Sequence, residues 1–398
     1  MSSVSTHDRP APSPAVQAAP PSVTPVDIVG CTVFSAAGEG LGALAEALRR
    51  GVPAAQGPAD EATAGDFPPD PAVLSVPGFA PAEVLGRKGL SRLTRTDQLV
   101  SVACAKALGE PAEEAGGIEP ADTGIVLGTS VGSTRRVGDF IRDTFVEERP
   151  YFVNPSHFPG ILMNSAAGRA AIRLGLTGVN ATVSGGPLAG LHALRYARNA
   201  LLAGHARRLL TGAFEELSPQ RAWAWHRSAG LAAGVPLGEG GAVHVLQTAD
   251  ASAQEPEGSR PLARLLACEV GFADPAQGLS GVSRRLADCV RTALARSGVA
   301  PHDVAVAVPG AAGRRGWARV EENALREVFA GPATPYRLAV QPVLGETDSA
   351  AGALQLAAVL ARWQDDGGPD TGRERAAVLT AVGPEGSVGC AVVVRPAG

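Results

Sequence analysis

The chain has 398 residues, 45% of them hydrophobic, and a formal net charge of −4. That length supports two domains or one large duplicated one, and the composition is that of a soluble globular protein. No basic block marks a nucleic-acid surface, no apolar run is long enough to span a bilayer, and the N-terminus lacks the charged-then-apolar pattern of a signal peptide. Five cysteines (Cys31, Cys104, Cys268, Cys289, Cys390) are scattered without C-x-x-C spacing. They read as reduced, mostly buried thiols of a cytoplasmic protein, not as a metal set.

Residues 1–24 are rich in Pro, Ala and Ser and are expected to be disordered. An apolar strand follows at Val26 to Val33, then a turn through Ala36, Ala37 and Gly38 into a helix from Leu41 to Leu48. After a proline-punctuated loop, a helix is expected from Arg95 to Leu108, with Leu99, Val100, Val102, Ala103 and Ala107 on one face. "TGIVLG" is a buried strand, Arg136 to Val146 a helical stretch, and Ile161 to Leu174 a small-residue helix. "ARRLLTGAFEEL" and "GGAVHVLQTAD" supply two more strands, and the polar segment at 250–260 reads as a linker. The pattern then restarts: strand Ala263 to Val270, helix Leu279 to Ser297, strand "DVAVAVPGAAG", helix Val320 to Phe329, helix Ala350 to Trp363 and a closing hairpin. Near-continuous apolar strands alternating with helices imply sheets covered on both faces. The expectation is therefore an α/β protein with a five-layered α-β-α-β-α duplicated fold, one half over 25–249 and the other over 261–398.

"VSGGPLAGLHAL", Val183 to Leu194, has the texture of a nucleophile turn: a β-branched strand, a Ser/Gly/Gly/Pro bend and a small-residue helix. At such a turn an enzyme presents a Cys or Ser, but here Pro187 stands at the apex. It has neither a nucleophile nor an N–H.

Laid end to end, "VDIVGCTVFSAAGEG", "LTRTDQLVSVACAKAL", "NPSHFPGILMNSAAGRAAIRLGLTG", "TVSGGPLAGLHALRYARNALLAGHARRLLTGAFEE", "PLGEGGAVHVLQ" and "LGETDSAAGALQLAAVLA" resemble the β-ketoacyl synthase branch of the thiolase superfamily, over roughly 25 to 396. The resemblance implies the thiolase-like fold and a chemistry that needs a Cys thiolate and two His. The positions matching that set are Pro187 for the Cys, Pro309 for the first His, Glu346 for the second His and Gln341 for a nearby Lys. Ala311 and Gly313 match two pantetheine-contacting threonines, and "VGPEGSVG" with Pro384 and Glu385 replaces the aromatic gate. No catalytic residue, cofactor or metal is therefore expected.

Within the family, the sequence resembles the chain-length-factor (KSβ) subunit of bacterial type II polyketide synthases, which pairs with an active ketosynthase (KSα-like) subunit. That implies two partners: the active subunit, and an acyl-carrier protein bearing its chain on phosphopantetheine. Nucleic acid and membrane are not implied. Such subunits usually carry Gln at the Cys position, and Pro187 departs from that pattern.

Several residues keep two readings. Pro187 either plugs a dead site or is drift that a helix start tolerates. Glu346 and Asp348 form either a replacement acid/base pair or, the preferred reading, an N-terminal cap of the helix that follows. Phe158, Ile161, Leu162 and Met163 either line an acyl tunnel or belong to the core. His192, five residues past Pro187, either faces the cavity or is an ordinary packed or surface histidine. Glu215, Glu216 and Glu239 read as structural acids. Arg314, Arg315 and Trp317 either contact an acidic carrier protein or form a solvated basic loop, and Arg87, Lys88, Arg92 and Arg95 share that choice. Three functions follow: a non-catalytic partner subunit, a fold-sharing enzyme that uses Glu346 or His192 for acyl transfer or bond formation, or a homodimeric acyl-thioester binder.

Overall fold

The computed structural model describes residues 23–52, 57, 65–109, 119–252, 260–331, 334–365 and 376–396. The expected disordered tail thus lies almost wholly outside the described residues. So does most of the linker, whose start is one helical turn, Ala249–Ser252. No helix among the described residues is long and apolar enough to cross a membrane.

The first half contains strand β1 (Val26–Ser35), helix α1 (Gly40–Arg50), helix α2 (Arg95–Leu108), strand β2 (Thr123–Thr129), helix α3 (Thr134–Val146), helix α4 (Ser165–Leu174), strand β3 (Asn180–Ser184), helix α5 (Ala189–Leu202), strand β4 (Arg208–Glu215), helix α6 (Pro219–Ser228) and strand β5 (Gly240–Gln247). The second half contains strand β6 (Ala263–Phe272), helix α7 (Leu279–Ser297), strand β7 (Val304–Pro309), helix α8 (Trp317–Val328), helix α9 (Ala351–Asp365) and the hairpin β8 (Ala376–Val382) and β9 (Ser387–Val394).

Sheet order shows the duplication directly. In the first half it runs β1-β5-β4-β2-β3, with two antiparallel pairings followed by two parallel ones. In the second half β6-β9-β8-β7 and a two-residue strand, Tyr336–Arg337, repeat the same scheme. The halves join through a short antiparallel contact of Val26, Asp27 and Ile28 with Leu265, Arg264 and Ala263. Helices α2 and α4 cover the outer face of the first sheet, and α7 and α8 that of the second. Helices α5 and α9 lie between the sheets, α9 touching β4 and β5 on one side and β7 and β8 on the other. Those are the five expected layers.

The middle layer is tight because its helices carry glycine where they cross. A Cβ on Gly190 would stand 2.9 Å from the Ala353 nitrogen, and one on Gly352 would stand 3.0 Å from that of Leu191. Around the crossing, Leu188, Leu191, Leu194, Leu354 and Leu360 are buried. Each such side chain contributes about 1.5–3 kcal/mol of transfer free energy.

Local signals explain several element bounds. Helix α2 begins on a reciprocal capping box between Thr94 and Asp97, and α7 ends on Gly298 in the left-handed region. Two expectations need correction. The helix expected from Ile161 starts at Ser165, because Leu162 turns extended after the single turn Phe158–Ile161. Helix α6 was not foreseen, although Ser218 caps it through the Arg221 N–H and Pro219 occupies its first turn.

Candidate functional site

The turn after β3 is a single 3-10 turn, Gly186–Leu188, that feeds directly into α5. Pro187 is half-buried there, while Leu188 is sealed in the core. Leu188 donates its N–H to the Gly185 carbonyl at 3.0 Å. The turn packs against a second one, Asp348–Ala350, which leads into α9. The duplicated fold thus brings the Pro187 and Glu346 segments together across about 160 residues of sequence.

The Glu346 segment is a buried ion-pair network. Glu346 is fully buried, and its carboxylate accepts two hydrogen bonds from the Arg314 guanidinium at 2.6 and 2.9 Å. It also accepts the Asp348 N–H at 2.8 Å. Asp348, strained at φ +45°, takes a 2.5 Å bond from Arg221 and one of 3.2 Å from the Trp225 indole, with Arg314 3.6 Å away. Arg221 donates further to the carbonyls of Glu216, Gly238 and Glu346, and so ties the two halves together. Burial pushes the Asp348 carboxyl upward, but the Arg221 and Arg314 charges win and hold it below the ordinary aspartate value. Next in line, Glu215 accepts from Ser130 at 2.8 Å and from the Ser349 hydroxyl; burial lifts it to about 7 despite Arg221.

The capping reading of Glu346 and Asp348 is met only in part: Glu346 accepts the first N–H of the turn at Asp348, but both carboxylates are bound chiefly by arginines. Thr347 makes no side-chain cap. Arg314 faces inward and not toward a carrier protein, with only 4% of its side chain exposed. The sequence signal that places it here is weak, because an arginine in a Gly-rich loop is usually solvated.

Pro309 ends β7, and the loop after it is held from two sides. The Gln341 amide donates to the Gly310 carbonyl at 2.6 Å. Glu321, fully buried on α8, accepts the N–H groups of Gly310 (3.0 Å) and Ala311 (2.7 Å) and the Thr380 hydroxyl (2.6 Å). Burial raises Glu321 to about 7, against those hydrogen bonds. Sequence reading missed Glu321, yet it occupies the apolar stripe Val320, Glu321, Ala324, Leu325, where an acid is out of place.

The remaining candidates separate. Glu216 receives Ser133, Thr96 and the Arg135 N–H, and Glu239 receives Arg95 and two backbone N–H groups, so both are structural. Arg95 is thereby withdrawn from the basic surface set. Phe158, Leu162 and Met163 are not core: they are 53%, 43% and 47% exposed, with Ile161 half-buried beside them. His192 lines an open cleft of about 610 Å³, and among the described residues the hydrogen bonds of the Glu346 carboxylate go to Arg314 and Asp348, not to His192. Pro384 and Glu385 form the exposed β8–β9 turn. A separate groove of about 390 Å³ lies between Trp225, Trp317 and Pro384, with the buried Arg314 in its lining.

Two interlocked sheet halves, meeting at paired strand-to-helix turns, define a thiolase-like ketosynthase fold. The β-ketoacyl synthase N-terminal domain model matches residues 23–252, and the C-terminal domain model matches residues 262–371. The chain belongs to the β-ketoacyl synthase family. It is 27% identical over 308 residues to a polyketide β-ketoacyl synthase 2 from Streptomyces virginiae, covering 72% of this chain and 73% of that one. It is 28% identical over 281 residues to a granaticin polyketide β-ketoacyl synthase 2 from Streptomyces violaceoruber, covering 65% of each. Among solved structures it is similar to the ishigamide ketosynthase/chain length factor, with 34% identity, a TM-score of 0.77, and coverage of 94% of this chain and 100% of that one. A β-ketoacyl synthase from Burkholderia phymatum shares the fold at 17% identity, with a TM-score of 0.80 and the same coverage.

Proposed function

We propose that this chain is a chain-length-factor-type subunit of a type II polyketide synthase. It forms no carbon–carbon bond itself. It pairs with an active ketosynthase subunit and supplies one wall of the tunnel in which the chain grows on an acyl-carrier protein. The observation that carries this reading is the Arg314–Glu346–Asp348–Arg221 network beside a turn bearing Pro187. Condensation needs a thiolate to hold the acyl chain and neutral donors to stabilise an enolate. A proline supplies no nucleophile. A glutamate bound at both oxygens to a guanidinium adds no free acid or base.

Two surfaces support the pairing. Strand β3 ends the sheet, and its outer edge has no strand partner among the described residues. Helix α3 has no buried residue, and Ile141, Phe145 and Val146 on it are 51%, 83% and 67% exposed. Tyr151, Phe152 and Phe158, close behind in the sequence, are 67%, 50% and 53% exposed, so this stretch presents several large apolar side chains to solvent. The similarity to the ishigamide ketosynthase/chain length factor adds to this reading.

The test is reconstitution with malonyl-loaded carrier protein. The chain alone should yield neither condensation nor decarboxylation. Adding an active ketosynthase should restore elongation, and Phe158→Ala or Met163→Trp should shift product length without abolishing turnover. Condensation by the purified chain alone would overturn the proposal.

A further inference from the structure

The cleft on α5 lies outside the catalytic positions. His192, Arg195, Tyr196 and Asn199 line it at spacings of three, four and seven residues, so they share one helix face. His205 closes one end, and Val183 of β3 and Val270 of β6 form its apolar walls. Its polar lining joins the permanent cation Arg195 to His192, Tyr196, Asn199 and His205, with no carboxylate among the lining residues described. Arg195 is exposed, and it makes no ion pair among the described residues. Burial and then the Arg195 charge lower the His192 pKa, and Glu385 opposes them without cancelling them. The charge that favours an anion in the cleft is thus that of Arg195.

Val183 belongs both to this cleft and to the unpaired edge strand. A protein that extends the sheet through β3 therefore meets a strand whose Val183 also lines the cleft. A two-fold contact through that edge would use the same patch of both copies and so bring two Arg195 charges to one interface. Like charges meeting at an interface oppose association, whereas a carboxylate from a different chain completes it.

We propose that the α5 cleft is a partner-selecting surface. It receives a carboxylate side chain of the active ketosynthase subunit, and its Arg195 charge disfavours self-pairing. This inference rests on the pairing reading above. It explains how a chain with an open sheet edge is directed to a heterodimer.

The experiment compares the native chain, Arg195→Glu and Arg195→Lys, each titrated against a co-expressed active ketosynthase subunit at low and high salt. Arg195 is exposed, so equal thermal melts of the three chains serve as the folding control. Arg195→Glu should weaken pairing roughly tenfold or more at low salt, Arg195→Lys should stay within about threefold, and the difference should shrink at high salt. The native chain alone should sediment as a monomer. A tight native homodimer would assign the cleft to a second copy, and pairing unchanged by Arg195→Glu would leave it to a small ligand; either overturns the inference. If the native chain pairs with no ketosynthase, the pairing reading itself falls and the inference with it.

Discussion

The two halves of the molecule share one pairing scheme but differ at the turns that lead into the central helices. In the first half, β3 passes through Gly186, Pro187 and Leu188 into α5, a small uncharged turn that is half-buried at its apex. In the second, the chain passes through Glu346 and Asp348 into α9, where two carboxylates are sealed against Arg314 and Arg221. The outer edges differ as well: β3 offers five residues, whereas Tyr336–Arg337 offers two. Duplication thus sets where the turns lie, and side-chain chemistry decides what each does. One half keeps a five-residue open sheet edge, and the other seals its turn with ion pairs.

The comparison breaks most visibly if the ion pair is cut. Arg314→Ala leaves Glu346 buried and unpaired and should cost about 3–5 kcal/mol in denaturant unfolding. Arg314→Leu combined with Glu346→Leu should come within about 2 kcal/mol of the native chain, because no charge is then left unpaired. If the single variant were as stable as the double, the network would not be the seal described here.

The pH dependence sharpens the same contrast. Glu321 titrates at about 7 in the folded chain and near 4.5 when unfolded, so between those values the native state binds the extra proton. Its contribution to stability is fully present below about pH 4.5 and is lost as the pH rises through 7, on the order of 1 kcal/mol per pH unit. Read from urea unfolding at several pH values, Glu321→Gln should reduce the slope there and leave the share of Glu215, which burial also lifts to about 7. An unchanged slope would assign the titration elsewhere.

Gly190→Ala tests the layer that joins the halves. Its Cβ meets backbone and not a movable side chain, so a loss of about 1–3 kcal/mol is expected by calorimetry. Gly168→Ala, on α4 with open space around it, should instead gain about 0.5–1 kcal/mol. The smallest effect is expected at the apex itself. Pro187→Cys should leave condensing activity at background, since Pro309 and Glu346 still lack the proton chemistry. Restored turnover would show that the turn alone had been limiting.

Much of this architecture was legible in the chain. Helices α2 and α7 and strand β1 were readable because their apolar spacing, caps and bounding glycines are local signals. The proline of the turn before α5 was equally legible, since Pro187 has no nucleophilic group in any environment. The fates of Arg314, Arg221 and Glu321 were not. A charged residue in sequence is equally at home in solvent, and only partners 32, 127 and 59 positions away (Glu346, Asp348 and Thr380) show that these are buried.

What the sequence by itself determined is therefore the order of most strands and helices, the family resemblance and the identity of the residues at its two turns. These depend on residue identity and on short-range periodicity. What only the tertiary structure decided is which charges are sealed and which face outward. Duplication brings two distant turns into contact, and burial makes an ion pair obligatory where a surface arginine would have been free. The same folding turns one face of α5 outward beside an open sheet edge, where Arg195 retains a charge that the interior does not use.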